Sequence, residues 1–258
     1  MTYDIVIPLK ADEPNEDLRF TLRSIERYGA DFGTIWLVGY CPRWVQNVRY
    51  LPTVQTADKW TNTLKNRIAV CEQKDLSDKF LLFNDDFILT RPVTSWEELT
   101  ACNRGRLIDF AERLEASGQH LSRWQSAFRY THDVLRAEGI ESPINYEYHG
   151  PMIFDKTGFL ATYRSGILDK YLDGEHILLH RSIHGNLFPP LNSIESRYIE
   201  DPKLRSKDAP DYEYLTRYGF FSVADGMIGA TRIRQFPRVN CWLANHLNRP
   251  SRFEIRPV

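Results

Sequence analysis

Unbroken apolar runs alternate with amphipathic stretches over the N-terminal third of the chain. Asp4-Ile5-Val6-Ile7-Pro8-Leu9, Thr34-Ile35-Trp36-Leu37-Val38-Gly39 and Lys79-Phe80-Leu81-Leu82-Phe83 have the continuous apolarity of strands covered on both faces. Between the first two, Asn15 to Tyr28 sets Leu18, Leu22 and Ile25 on one helical face, with Arg19, Arg23, Glu26 and Arg27 around them. Asn47 to Val54 predicts a third, short strand. Lys59 to Cys71 predicts a second helix through Leu64, Ile68 and Cys71. Strand, helix and strand in this space make a βαβ unit, and hence a parallel sheet.

The middle of the chain changes to the helical period. Ser95 with Glu98 three residues on has the spacing of a capping box. Leu99, Leu107, Phe110 and Leu114 continue the stripe to Gly118. Leu121 to Ala137, with Trp124, Phe128, His132 and Leu135 to one side, predicts a second helix. Together these read as a helical hairpin inserted at about 95–139. Residues 140–190 read as loop-rich. Residues 201–219 are polar, with Pro202 and Pro210, and read as a surface or lid segment. Gly219 to Val223 predicts a last strand, and Cys241 to Leu247 a short helix. No repeat or linker divides the chain, so one domain over 1–258 is expected.

Composition narrows the class. At 258 residues the chain can build one large or two small domains. No run of eighteen apolar residues occurs and Met1-Thr2-Tyr3-Asp4 has no leader pattern, so no membrane span and a cytoplasmic location are expected. Cys41, Cys71, Cys102 and Cys241 are scattered, which reads as reduced structural thiols. A formal charge of −1 supplies no global field for nucleic acid or membrane. Arg232, Arg234, Arg238, Arg249, Arg252 and Arg256 are a local exception, able to meet phosphates or to form an ion-paired face.

The chemistry concentrates where the third apolar run meets Asn84-Asp85-Asp86. A carboxylate beside buried strands is costly unless paired or holding a metal. Neighbours on a strand face opposite ways, so the pair belongs at a turn, with both carboxylates toward one cleft. Ligands of α/β sheets gather at such carboxyl ends. Hard oxygens suit Mg²⁺ or Mn²⁺ with a substrate phosphate completing the shell; capping of a strand end is the alternative. His149, in Tyr146-Glu147-Tyr148-His149-Gly150-Pro151, is a candidate general base. Arg181 is a candidate phosphate clamp. His176, His180 and His184 read as structural, and Gly185 argues against a helical zinc pair there. Kinase-type, dinucleotide and hydrolase-elbow glycine motifs are absent.

Several stretches together resemble the Stealth proteins, which include bacterial capsule polymerases and N-acetylglucosamine-1-phosphotransferase. They are Asn15-Glu16-Asp17-Leu18-Arg19-Phe20-Thr21-Leu22-Arg23-Ser24-Ile25-Glu26, Ile35-Trp36-Leu37-Val38, Phe83-Asn84-Asp85-Asp86-Phe87, His149-Gly150-Pro151 with Lys156, His180-Arg181-Ser182 and Ser251-Arg252-Phe253-Glu254. The first strand departs from that family, since Ile7-Pro8-Leu9-Lys10-Ala11-Asp12 is closer to ordinary GT-A glycosyltransferases. The resemblance implies a GT-A-like, mostly parallel α/β sheet flanked by helices. It implies that Asp85 and Asp86 hold a divalent cation, Mn²⁺ or Mg²⁺, on the diphosphate of a nucleotide sugar of the UDP type. It further implies that His149 takes the acceptor proton, Arg181 stabilises a phosphoryl oxygen and Asn84 positions the metal shell, while Arg19 and Arg23 face the nucleotide or brace the first helix.

The expected activity is therefore metal-assisted transfer of a sugar-1-phosphate or a sugar from a nucleotide sugar to a hydroxyl acceptor, most naturally a glycan. Release of a nucleoside monophosphate marks the first outcome and of a nucleoside diphosphate the second. A non-catalytic sugar- or nucleotide-binding module is the rival from another class. An enzyme acting on a hydroxylated DNA base is a third reading, with strong salt dependence as its mark.

Overall fold

The structure, a computed structural model, describes residues 2–100, 102–171, 175–189, 194–195, 203–204, 217, 219–224, 227–229 and 236–255. Five strands form the central sheet: β1 (Tyr3–Pro8), β2 (Phe32–Gly39), β3 (Arg49–Pro52), β4 (Lys79–Leu82) and β7 (Met152–Asp155). Their order is β3-β2-β1-β4-β7, parallel throughout except for β7, which runs antiparallel on β4. The mainly parallel α/β class expected from the apolar runs is thus what the chain builds.

The two-residue period of the strands divides the core. Ile5, Ile7, Ile35, Leu37 and Leu81 face α1 (Glu16–Tyr28), whose Leu18, Leu22 and Ile25 are fully buried against them. Val6, Trp36, Val38, Phe80 and Leu82 face the other way, toward α2 (Lys59–Cys71) and the helices that follow. Each face is covered by helices, which is why these strands carry no polar alternation. Buried Asp4 ties the entry of β1 to its neighbours, accepting from Thr34 N at 2.7 Å, Ser77 N at 3.0 Å and Trp36 Nε1 at 3.3 Å.

The inserted hairpin exists in modified form. Its second helix, α5 (Arg123–Ala137), opens on a capping box of Ser122 and Gln125. It packs on α4 (Leu107–Ala116), with Phe110 and Phe128 ring centroids 4.4 Å apart. The expected first helix is broken: α3 (Glu97–Thr100) stops after one turn and β6 (Cys102–Asn103) follows. Here Arg104 N donates to Asn145 O at 2.8 Å and Asn145 N to Gly105 O at 2.7 Å, which holds the chain extended. The Ser95–Glu98 box does not form; Ser95 bonds Glu97 and Thr94 bonds Glu98.

The stretch read as loop-rich carries regular structure. After β7 come α6 (Lys156–Arg164), α7 (Ile167–Tyr171) and α8 (His180–Leu187). Gly185, expected to end any helix, lies inside α8 because the Tyr146 ring packs where a side chain would be. A second sheet joins β5 (Phe87–Leu89), β10 (Phe220–Val223) and β9 (Lys203–Leu204), in the order β5-β10-β9; β8 (Ile194–Glu195) pairs with β6. α9 (Pro237–His246) covers the second sheet through Val239, Trp242 and Leu243. Of the polar segment 201–219, most lies outside the described residues. Lys203 and Leu204 within it form a strand rather than a surface loop, because β10 offers them a parallel edge. Cys41, Cys71 and Cys241 are free thiols. Among the described residues no helix is long and apolar enough to cross a membrane.

Candidate active site

The strand order reverses between β1 and β4. The chain passes from β1 through α1 to β2 on one side, while β4 lies on the other. The loops leaving two such strands diverge and open a crevice at their carboxyl ends. Asn84, Asp85 and Asp86 follow β4 there, and the chain then leaves the central sheet for β5 in the second one. The carboxylate pair therefore marks a change of sheet, which explains why apolar residues flank it on both sides.

Asn15, at the head of α1, meets Asp85 from the β1 side. It caps α1 from a left-handed conformation (φ 49°, ψ 68°), its Oδ1 accepting from Leu18 N at 3.0 Å. Its Nδ2 donates to Asp85 Oδ2 at 3.1 Å, and Thr21 Oγ1 donates to the Asp85 carbonyl at 2.6 Å. Asp85, half-buried, thus sits beside the positive end of α1, where a carboxylate is stabilised.

Asp86 is buried and faces two basic side chains. Its Oδ2 lies 3.1 Å from His149 Nε2 and 3.5 Å from Lys203 Nζ. Lys203 Nζ is also 3.4 Å from His149 Nε2. Burial pushes the Asp86 carboxyl up, but the His149 hydrogen bond and charge and the Lys203 ammonium more than reverse this and hold it below the usual carboxylate range. An ionised carboxylate only accepts and an ammonium only donates, so Asp86 and Lys203 compete for Nε2; the shorter contact, to Asp86, favours the imidazole proton on Nε2 and the lone pair on Nδ1.

Three contacts fix His149. Its ring stands perpendicular to Phe87, centroids 5.0 Å apart. Gly150 packs so closely on Phe220 and Tyr148 that a Cβ there would come within 2.6 Å and 2.7 Å of the two rings. Behind the loop, buried Arg181 donates from one guanidinium nitrogen to Tyr148 O at 3.2 Å and Gly150 O at 2.5 Å. These are the carbonyls on either side of His149. The structure therefore brings together Asp86 and His149, turns the Asp85 carboxylate to Asn15, and sets Arg181 behind the His149 loop.

Arg19 and Arg23 reach elsewhere. Arg19 meets Glu254 Oε2 at 2.7 Å, and Arg23 grips both Glu254 oxygens at 2.7 and 2.8 Å. Of the two roles expected for these arginines, the contacts are those of bracing α1 against the C-terminal segment. The Glu254 carboxyl loses from burial but gains more from Arg23, the Ser251 amide and Arg19, and is lowered to about 2. The half-exposed Asn84 side chain makes no hydrogen bond among the described residues. Lys156 donates to Gln73 O and Leu76 O at 2.8 and 3.0 Å, beyond α2. His180 and His184 are buried, and burial followed by Arg67 lowers both to about 3, so they are neutral. His184 Nε2 accepts from Asp155 N at 3.1 Å, and His176 stacks on Tyr130 at 4.3 Å. Arg232, Arg234 and Arg256 lie outside the described residues; Arg252 pairs with Glu26 and Arg249 is exposed. Lys203 and Asn15 were not singled out as site residues by sequence. The helix-capping Asn at the head of α1 was a usable signal for Asn15, and nothing local distinguishes Lys203.

Among the described residues no three His, Cys, Asp or Glu side chains gather to hold a metal ion. The pair Asp85 and Asp86 still suits a hard divalent cation in kind. Asp86 Oδ1 takes no hydrogen bond among the described residues, and the rest of a shell is of the sort that phosphate oxygens and water supply.

No protein-family model and no curated protein matches the chain, so the Stealth resemblance has no support from either. Similar solved structures include the galactosyltransferase LgtC in complex with donor and acceptor sugar analogs, at 16% identity and TM-score 0.45, over 72% of this chain and 70% of that one. An active-site mutant of LgtC is similar at 13% identity and TM-score 0.49, over 92% of this chain and 95% of that one.

Proposed function

We propose that this chain is a GT-A-like transferase that moves a sugar, or a sugar-1-phosphate, from a nucleotide sugar to a hydroxyl acceptor. The observation that carries the reading is the Asp86–His149 contact at the crevice between β1 and β4. A buried, ionised carboxylate that fixes one imidazole nitrogen and leaves the other as a lone pair is the arrangement of an oriented general base.

His149 Nδ1 takes the acceptor hydroxyl proton as the oxygen attacks. In sugar transfer that oxygen bonds to the anomeric carbon, the bond from that carbon to the diphosphate breaks, and the electron pair leaves on a nucleoside diphosphate. In sugar-phosphate transfer the oxygen bonds to the sugar-linked phosphorus, the phosphoanhydride bond breaks, and a nucleoside monophosphate leaves. Asp86 orients His149 and stabilises the imidazolium. Arg181 is a positioning residue, setting the height of the His149 loop. Asp85 and Asp86, with Asn84 beside them, would hold Mn²⁺ or Mg²⁺, which when bound neutralises charge on the departing phosphate.

Incubation with a panel of nucleotide sugars, Mn²⁺ and hydroxyl acceptors, with the released nucleotide identified by mass, tests the proposal. A diphosphate supports sugar transfer and a monophosphate supports sugar-phosphate transfer. Tight binding of a nucleotide sugar with no product under any acceptor contradicts both and supports a binding module.

A further inference from the structure

We infer that Lys203 is the diphosphate-binding cation of this crevice. The inference rests on the transferase reading and names the group that meets the donor's phosphates. Arg181 was expected to clamp a phosphate, and Arg19 and Arg23 to face the nucleotide or brace the first helix; the structure turns all three toward protein oxygens. Arg19 and Arg23 engage Glu254, and Arg181 is buried against the Tyr148 and Gly150 carbonyls. Lys203, from a segment with no sequence motif, instead reaches Asp86.

The register explains how. Ser222 of β10 pairs with Phe87 of β5 on one side and with Lys203 of β9 on the other. Phe87 directly follows Asp86, so the ladder carries Lys203 across the second sheet to the same level as the carboxylate. The Lys203 side chain is about a quarter exposed and Asp86 half as much, so the ammonium is the more accessible of the two to an incoming ligand. At 3.5 Å from Asp86 and 3.4 Å from His149 it is near both but tightly hydrogen-bonded to neither. An ammonium is a compact point charge with three donors, which suits non-bridging phosphate oxygens. It also answers an electrostatic need. Two carboxylates side by side repel a diphosphate, and a positive charge beside Asp86 offsets part of that repulsion whether or not a divalent cation is bound.

Calorimetric titration of inorganic pyrophosphate into the full chain tests this, once with EDTA and once with Mg²⁺, using wild type, Lys203→Met, Lys203→Gln and Lys203→Arg. Thermal unfolding of each variant confirms that it folds. The expected result is a loss of about tenfold or more in affinity for the two neutral variants under both conditions, with Lys203→Arg within about threefold of wild type. Neutral variants that bind as well as wild type overturn the inference. So do neutral variants that bind more tightly only with Mg²⁺, which makes Lys203 a plug on Asp86 that the metal must displace, and so does a wild type that binds no pyrophosphate. Lys203-dependent binding with no turnover of any nucleotide sugar keeps the phosphate site and removes the transferase. Turnover with Lys203-independent binding does the reverse.

Discussion

Asp86 Oδ2 and His149 Nε2 lie 3.1 Å apart across 63 residues of sequence. One follows β4 in the central sheet, and the other sits just before β7, the antiparallel strand beside it. Pairing of β4 with β7 therefore brings the two together, and Arg181 and Phe87 hold the His149 loop against the carboxylate.

Loss of the base removes chemistry and spares binding. His149→Gln is expected to lower kcat by about 10²- to 10⁴-fold, with donor affinity changed little. Asp86→Asn is expected to lower it by about 10²-fold or more, since an amide can donate to Nε2 and turn the imidazole to the wrong tautomer. Steady-state kinetics on the donor found in the panel, with calorimetry for binding, checks both. A variant with near-normal kcat contradicts the assignment.

Arg181→Met removes the guanidinium donor from the Gly150 carbonyl, while the Tyr148 carbonyl keeps the Gly150 amide at 2.9 Å. The expected cost is about 1–3 kcal/mol of stability, with kcat falling more than donor affinity. Arg181→Lys should recover part of the stability. A direct phosphate contact predicts the opposite balance, with donor affinity falling most.

Glu254 couples stability to acid. Its folded value of about 2 lies below the usual 4.5, so the unfolded chain takes up the proton first. The contribution is complete above about pH 4.5 and is lost as pH falls toward 2; this shift corresponds to about 3 kcal/mol. Glu254→Gln is expected to be less stable than wild type at pH 7 and to lose less on acidification. Denaturant unfolding at pH 7 and pH 3.5 measures the difference, and equal acid sensitivity contradicts it.

Leu22 is fully buried between α1 and the central sheet. Leu22→Ala is expected to cost about 2–5 kcal/mol by loss of burial and the cavity left behind. A shift in the denaturation midpoint reads this directly.

The N-terminal βαβ frame was legible because Ile5, Val6 and Ile7 announce a strand covered on both sides, and Leu18, Leu22 and Ile25 announce the helix that covers one of them. Asp85 and Asp86 were legible as a candidate site because paired charges against such a strand need a reason. What failed was set by tertiary contact. Gly185 reads as a helix stop until the Tyr146 ring is seen against it. Ser95 and Glu98 have cap-box spacing, but Glu97 and Thr94 compete for the same groups. Lys203 reads as one more polar surface residue, and only the ladder through Ser222 brings it to Asp86.

A crystal structure with uridine diphosphate and Mn²⁺ tests the central claim most directly. The account predicts the diphosphate in the crevice between the ends of β1 and β4, with the cation on Asp85 and Asp86 and a phosphate oxygen on Lys203. A nucleotide bound elsewhere, with Asp86 and His149 facing no ligand, contradicts it.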